Sequence, residues 1–207
     1  MNNTPHTNCL TLRLLHAAKG YKAVAFDIFD TLLKRDCAHP ADLCALMEVT
    51  HQAALGFAEA RVAAEAETRQ TLGREVTLAE IYAHPALRGT DPAAECAAEL
   101  AMIAPNRPVA QAAAACHARG QKVYAVSDMY LPKEQIEAML QKCGLDFLDG
   151  VFVSCEYGVQ KRSGKLFKLF LQQTALRPAE VLFVGDSPRA DFAGAALAGF
   201  PDWRAGL

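Results

Sequence analysis

Four short segments of the chain are continuously hydrophobic, and each stops at a polar residue. They span residues 23–26, 122–126, 150–153 and 181–185, and they are rich in Val, Phe and Ala. Uninterrupted hydrophobicity over about the length of a strand is typical of β-strands that are buried on both faces. Such strands occur in parallel sheets covered by helices, so the pattern predicts an α/β fold with a Rossmann-like parallel core.

The segments that link the last three hydrophobic runs have helical periodicity. Residues 132–143 and 164–176 both carry it, which gives a βαβαβ order. Parallel strands in an open sheet end at the same edge, and ligands bind beyond that edge. We therefore expect Asp27, Ser127 and Asp186, which follow or end three of the runs, to lie close together.

The first link is much longer than the others. Roughly ninety residues separate Asp30 from the second run, whereas one crossover needs about a dozen. Helical patterns within it cover residues 41–56, 57–72, 78–82 and 93–103. We predict a core made of residues 1–35 and 107–207, and a helical insert at residues 36–106 that covers the active edge as a lid.

Composition narrows the classes of function. The chain has 207 residues, 52% of them hydrophobic, with a net charge of -2, so no basic surface favours nucleic acid or an anionic membrane. The hydrophobic stretch at residues 10–15 is too short to span a membrane. Seven cysteines without paired spacing argue against a disulfide framework and a zinc site, and they favour a reducing cytoplasm.

The residues expected at the active edge are suited to phosphate chemistry. Asp27, Asp186 and Asp191 are carboxylates that resist joint ionisation unless a cation neutralises them, and Mg²⁺ prefers such oxygen ligands. Lys161 and Ser127 can donate to phosphoryl oxygens. Asp27 is then a competent nucleophile, and the expected substrate is a small phosphorylated metabolite.

The same residues carry a resemblance to a known family. Their order resembles the four motifs of the haloacid dehalogenase superfamily of hydrolases, with FDIFDT at residues 26–31, Ser127, Lys161 and GDSPRAD at residues 185–191. The resemblance covers residues 21–199. It implies catalysis by Asp27, Lys161 and Ser127, substrate binding by Ser127, Asp128 and Lys161, and Mg²⁺ held by Asp27, Asp186, Asp191 and the backbone carbonyl of Phe29.

A narrower resemblance concerns a subgroup found beside or fused to bacterial glycosyltransferases. It rests on residues 26–33 and 127–132, with Arg61, Glu65 and residues 80–82 in the insert. It implies an association with a glycosyltransferase pathway.

One departure from the superfamily concerns proton transfer. Its phosphatases carry a general-acid Asp two residues after the nucleophile, where this chain has Phe29, and Asp30 stands where a glycine is usual. A positioned proton donor is worth about 10²–10⁴ in rate. We therefore expect a bias towards acyl or aryl phosphates and anhydrides, or a donor supplied by the insert or the substrate.

Two alternatives follow from the same departure. An aromatic residue at position 29 is similar to that of true haloacid dehalogenases, which work without metal, although Asp186 and Asp191 together favour phosphate chemistry. A catalytically weak module that binds a phosphorylated metabolite or a protein partner is the second alternative. Phosphorus–carbon cleavage through a lysine of the insert is disfavoured, because residues 36–106 contain no lysine.

Two pairs in the insert have helical i,i+4 spacing. Arg61 and Glu65 are predicted to form a salt bridge. Glu95 and Glu99 are like charges, and we expect them to contact a substrate or a second ion.

Overall fold

The strands of the chain form one parallel sheet and one small antiparallel ribbon. The computed structural model describes residues 9–37, 39–50 and 52–201. Its strands are β1 Ala23–Phe26, β2 Leu33–Arg35, β3 Ile103–Pro105, β4 Lys122–Ser127, β5 Gly150–Val153 and β6 Val181–Val184. The parallel sheet has the order β5-β4-β1-β6, with Phe26 in register with Ala125 on one side and Val184 on the other. The predicted α/β class with a parallel core is confirmed.

Hydrophobic packing on both faces explains why the strands lack alternation. Val24 and Phe26 of β1 belong to one buried cluster, and Ala23 and Ala25 belong to another on the opposite face. All four side chains are buried. A sheet covered on both faces leaves the carboxyl ends of its strands as the accessible edge.

The helices agree with most of the predicted segments. They are α1 Cys9–Ala17, α2 Asp42–Val49, α3 Phe57–Leu72, α4 Leu78–Tyr82, α5 Pro92–Met102, α6 Arg107–Ala118, α7 Lys133–Lys142, α8 Ser154–Tyr157, α9 Lys165–Thr174 and α10 Gly194–Leu197. The helices predicted at residues 57–72 and 78–82 have the expected bounds. Thr77 begins α4 with a capping box, in which its hydroxyl accepts from Glu80 N.

The prediction that the insert is helical throughout was wrong at two places. The helix predicted at residues 41–56 ends at Val49, and Gly56, with φ of 88°, turns the chain into α3. The helix predicted to reach Ile103 ends at Met102, because Ile103 begins β3. Neither a short ribbon strand nor a left-handed turn changes the average periodicity of a helical window.

The antiparallel ribbon carries the chain into and out of the helical region. Leu33 of β2 is paired with Pro105 of β3, and Arg35 with Ile103. Strand β2 ends immediately before residue 36, and strand β3 ends immediately before residue 106. The division of the chain into two domains at these residues stays a prediction.

Three further observations concern helix α1, membrane spans and the thiols. The helix α1 packs against α6, where the Thr11 hydroxyl donates to the Pro108 carbonyl at 2.9 Å. Within the described residues, no helix is both long and hydrophobic enough to cross a bilayer. All seven cysteines are free thiols, as their spacing predicts.

Candidate active site

Three neighbouring strands bring the predicted site residues to one edge of the sheet. Asp27 directly follows β1, Ser127 ends β4, and Asp186 lies two residues beyond β6. Because β1 lies between β4 and β6, these residues converge. The amide of Asp27 also donates to the Val184 carbonyl at 2.8 Å, which fixes its backbone against β6.

Lys161 links two of the carboxylates. Its Nζ lies 2.5 Å from Asp27 Oδ1 and 2.6 Å from Asp191 Oδ1, and the side chain is only 3% exposed. Its backbone N–H donates to Asp128 Oδ1 at 2.8 Å. The side chain of Asp128 therefore holds the loop that carries the lysine.

The loop after β6 is built around Asp191. The Oδ2 atom of Asp191 accepts from the backbone N–H groups of Asp186 at 3.1 Å and Ser187 at 2.9 Å. A Cβ at Gly185 would overlap the Asp191 carboxylate, and one at Gly194 would overlap the Lys161 carbonyl. Glycine at position 185 leaves room for the Asp191 carboxylate, and glycine at position 194 lets the backbone approach Lys161 closely.

The three carboxylates form a set suited to a divalent cation. Asp27, Asp186 and Asp191 each offer an oxygen, and these oxygens lie within 4.8 Å of one another. Among the described residues, only Lys161 forms an ion pair with any of the three. One lysine neutralises one of three negative charges, so the donor set fits a further cation.

The electrostatics of the site follow from burial and crowding. Burial, together with the nearby Asp191, raises the pKa of Asp27 to about 7 against the opposing effect of Lys161. Burial and Asp191 also raise the pKa of Asp186. Burial disfavours charge on Lys161, but the carboxylates of Asp27 and Asp191 outweigh it and raise the lysine pKa. A divalent cation would favour the ionised form of both aspartates.

The turn after Asp27 explains the unusual Asp30. Its φ is 58°, in the left-handed region, where glycine is favoured and Asp is among the better tolerated residues. The Asp30 side chain is exposed and has no hydrogen-bond partner among the described residues. The next residue, Thr31, is buried and its hydroxyl donates to Asp186 Oδ1 at 3.4 Å.

Phe29 stands two residues beyond Asp27, where the resemblance to the superfamily implies a general acid in phosphatases. Its ring is largely buried beneath the Arg35 guanidinium, whose carbon lies 4.0 Å from the ring centre. Arg35 Nε and Nη2 donate to the two carboxylate oxygens of Glu99 at 2.9 and 3.1 Å. Arg35 was missed by the sequence analysis, since nothing in the pattern relates residues 64 positions apart.

The expectation for Glu95 and Glu99 was wrong. Both are buried, and each carboxylate is held by an arginine, Glu99 by Arg35 and Glu95 by Arg61 Nε and Nη2 at 2.7 and 2.8 Å. The Tyr82 hydroxyl also donates to Glu95, at 2.8 Å. Their oxygens are therefore occupied by structural partners. The salt bridge predicted between Arg61 and Glu65 is confirmed at 2.9 Å.

Ser127 is buried at the end of β4. Its hydroxyl has no hydrogen-bond partner in the described part of the chain, which leaves it available to a ligand. Asp128, the next residue, is half-buried and uses one carboxylate oxygen for the Lys161 loop. Burial raises the pKa of Asp128.

Comparisons with known proteins agree with the α/β fold. A model of the haloacid dehalogenase-like hydrolase family matches residues 21–199. No curated protein matches the sequence. Among solved structures, L-2-haloacid dehalogenase from Xanthobacter autotrophicus, with chloropropionic acid covalently bound, is similar with a TM-score of 0.61 and 21% identity, covering 87% of this chain and 75% of that one.

Two other similar structures are described as a magnesium-bound hydrolase and a phosphatase. YfnB from Bacillus subtilis, bound to magnesium, has a TM-score of 0.60 and 20% identity, with 87% of this chain and 86% of that chain covered. A phosphatase from Thermococcus onnurineus has a TM-score of 0.60 and 21% identity, with 86% and 83% covered. At these identities the likeness shows the fold, and both dehalogenases and phosphatases share it.

Proposed function

The chain belongs to the haloacid dehalogenase-like hydrolases, and from this membership we propose that it is a Mg²⁺-dependent phosphatase acting on a small phosphorylated metabolite. The observation that carries the proposal is the grouping of three carboxylates within 4.8 Å with a single lysine between two of them. A neutral or singly charged substrate alone would leave this excess of negative charge uncompensated. A divalent cation balances this charge and can also bind an oxygen of a phosphoryl group.

The proposed reaction uses Asp27 as the nucleophile. A carboxylate oxygen of Asp27 attacks phosphorus while the bond from phosphorus to the leaving oxygen breaks, and the leaving group takes the electron pair. Water then attacks phosphorus of the aspartyl-phosphate, which releases phosphate and restores the carboxylate. Lys161 neutralises Asp27, and the Ser127 hydroxyl donates to a phosphoryl oxygen.

The magnesium ligands in this proposal are oxygens from two loops, those after β1 and β6. We propose the carboxylates of Asp27, Asp186 and Asp191 and the backbone carbonyl of Phe29. When bound, the ion would supply charge neutralisation for the transferred phosphoryl group. Asp191 also binds Lys161 and two loop amides, so its loss would affect the loop as well as the metal.

The direct test is an assay of phosphorylated metabolites with and without the metal. We expect release of phosphate in the presence of MgCl₂ and none after chelation with EDTA. Equal turnover under both conditions would contradict the proposal. Binding of phosphorylated compounds without turnover would instead support the alternative of a binding module.

Because residue 29 is aromatic, dehalogenation is a second candidate function. An aromatic ring buried two residues beyond Asp27 matches the residue type of the dehalogenases. Turnover of 2-chloropropionate in the presence of EDTA would support it. The unbalanced charge of Asp186 and Asp191 argues against it.

A bias towards good leaving groups is the expected consequence of Phe29. With no proton donor at that position, the kcat/KM for acetyl phosphate should exceed that for glucose 6-phosphate by about 10²-fold or more. The Phe29 ring packs against the Arg35 guanidinium, which is paired with Glu99, and the ring carries no proton to donate. Steady-state kinetics on both compounds at one Mg²⁺ concentration measures the ratio, and equal values would show that a donor is present elsewhere.

The finer assignments rest on sequence motifs. We propose that the chain belongs to the glycosyltransferase-associated subgroup, that it works in the cytoplasm without nucleic-acid or membrane partners, and that the insert at residues 36–106 acts as a lid. Arg61 is buried and Tyr82 is half-buried, and both bind Glu95, which supports a structural role for these motif residues.

A further inference from the structure

One short segment of the helical insert contacts the loops beyond two different strands of the sheet. Glu75 Oε2 accepts from the side-chain amide of Gln160 at 2.8 Å, and Gln160 directly precedes Lys161. The backbone N–H of Leu78 donates to the carbonyl of Tyr130 at 2.8 Å, in the loop that follows Ser127. Residues 75–78 therefore hold both loops that carry proposed catalytic side chains.

Glu75 is fixed rigidly on the side of the insert. It is 2% exposed, and its Oε1 accepts from Arg69 Nε and Nη2 at 3.2 and 2.9 Å and from the Val76 amide at 3.2 Å. Only Oε2 is directed at the core, where it meets Gln160. A buried carboxylate held this firmly transmits the position of the insert to its partner.

Lys161 is held from the core as well. Its N–H donates to Asp128, and its carbonyl accepts from Gly164 N at 2.7 Å. Asp128 in the core thus binds the backbone of Lys161, while Glu75 in the insert binds the side chain of the neighbouring Gln160. Lys161 Nζ in turn contacts Asp27 at 2.5 Å.

We propose that Glu75 and Gln160 are positioning residues, which place Lys161 against Asp27 only when the insert is seated on the core. The effect on turnover rests on the proposed phosphatase function, but the physical coupling does not. If the insert moves away, the Glu75–Gln160 hydrogen bond breaks and the loop that carries Lys161 loses its support on that side. Contact of the insert with the core and placement of Lys161 against Asp27 then occur together.

The experiment compares three changes at this contact with a matched control. Gln160→Glu sets two carboxylates against each other, Gln160→Ala removes the hydrogen bond, and the double variant Glu75→Gln with Gln160→Glu restores an amide–carboxylate pair with the partners exchanged. Gln141→Glu, at an exposed glutamine of α7 without a side-chain hydrogen bond among the described residues, is the control. Hydrogen–deuterium exchange of the intact chain is measured over residues 73–78 and 157–164.

In Gln160→Glu we expect exchange to rise about tenfold in both segments together. The rise should be smaller in Gln160→Ala, largely reversed in the double variant and absent in Gln141→Glu. With acetyl phosphate as substrate, kcat should fall about tenfold in Gln160→Glu with KM nearly unchanged, and recover in the double variant. A rise confined to one segment, or no recovery in the double variant, would overturn the coupling. If the wild-type chain shows no turnover but exchange still rises in both segments of Gln160→Glu, only the phosphatase proposal is refuted.

Discussion

Asp27→Asn is expected to lower kcat for acetyl phosphate by at least about 10³-fold, because the amide cannot form the aspartyl-phosphate. The chain should remain folded, since asparagine has nearly the same volume and replaces a carboxylate whose pKa burial has raised to about 7. Initial rates with saturating Mg²⁺, together with a thermal unfolding midpoint, measure both effects.

Asp146→Asn is the matched control for this variant. Asp146 is exposed and forms no ion pair with any described residue, so the same substitution there should leave kcat unchanged. If Asp27→Asn keeps a tenth or more of the activity, Asp27 is not the nucleophile. A loss of activity that accompanies unfolding would be followed by Asp27→Glu, which keeps the charge but displaces the attacking oxygen and should be nearly as inactive.

Lys161→Met is expected to destabilise the chain by about 3–5 kcal/mol in metal-free buffer, because Asp27 and Asp191 stay buried without their cation. Urea unfolding measures the difference. Lys165→Met is the control, since Lys165 is exposed and unpaired among the described residues, and its removal should cost little. Added Mg²⁺ should restore part of the lost stability.

The loss in Lys161→Met should depend on pH in a definite direction. Without the lysine, the pKa of Asp27 in the folded chain lies even further above the ordinary value of 3.8. A carboxyl whose folded pKa is raised contributes stability that is present at low pH and lost as the pH rises through that pKa. The variant should therefore lose more stability relative to wild type at pH 8 than at pH 5. A constant difference across this range would show that the carboxylates do not depend on Lys161.

The main features of the fold and site could be predicted from local patterns. Residues 23–26 and 150–153 are strands with the bounds that their continuous hydrophobicity indicates. Since parallel strands share an edge, the polar residues that end them could be placed together before any coordinates. Asp27 and Asp186 meet at that edge, and Lys161 reaches Asp27 from the loop beyond β5.

Features that depend on distant partners could not be predicted. Arg35 and Glu99 are 64 positions apart, and Glu75 and Gln160 are 85 apart, so no local pattern relates them. The like-charged spacing of Glu95 and Glu99 suggested a ligand site, because the arginines that neutralise them come from other elements. Three-residue strands such as β2 contain too few positions to show a period.

The central claim is that a cation draws Asp27 and Asp186 together at one edge of the sheet. Calorimetric titration of Mg²⁺ into the wild-type chain and into Asp186→Asn, with orthovanadate present as a phosphate mimic, tests it most directly. The account predicts one Mg²⁺ per wild-type chain and an affinity at least about tenfold weaker in the variant. Absence of Mg²⁺ binding to the wild-type chain, or equal affinity in the two proteins, would contradict it.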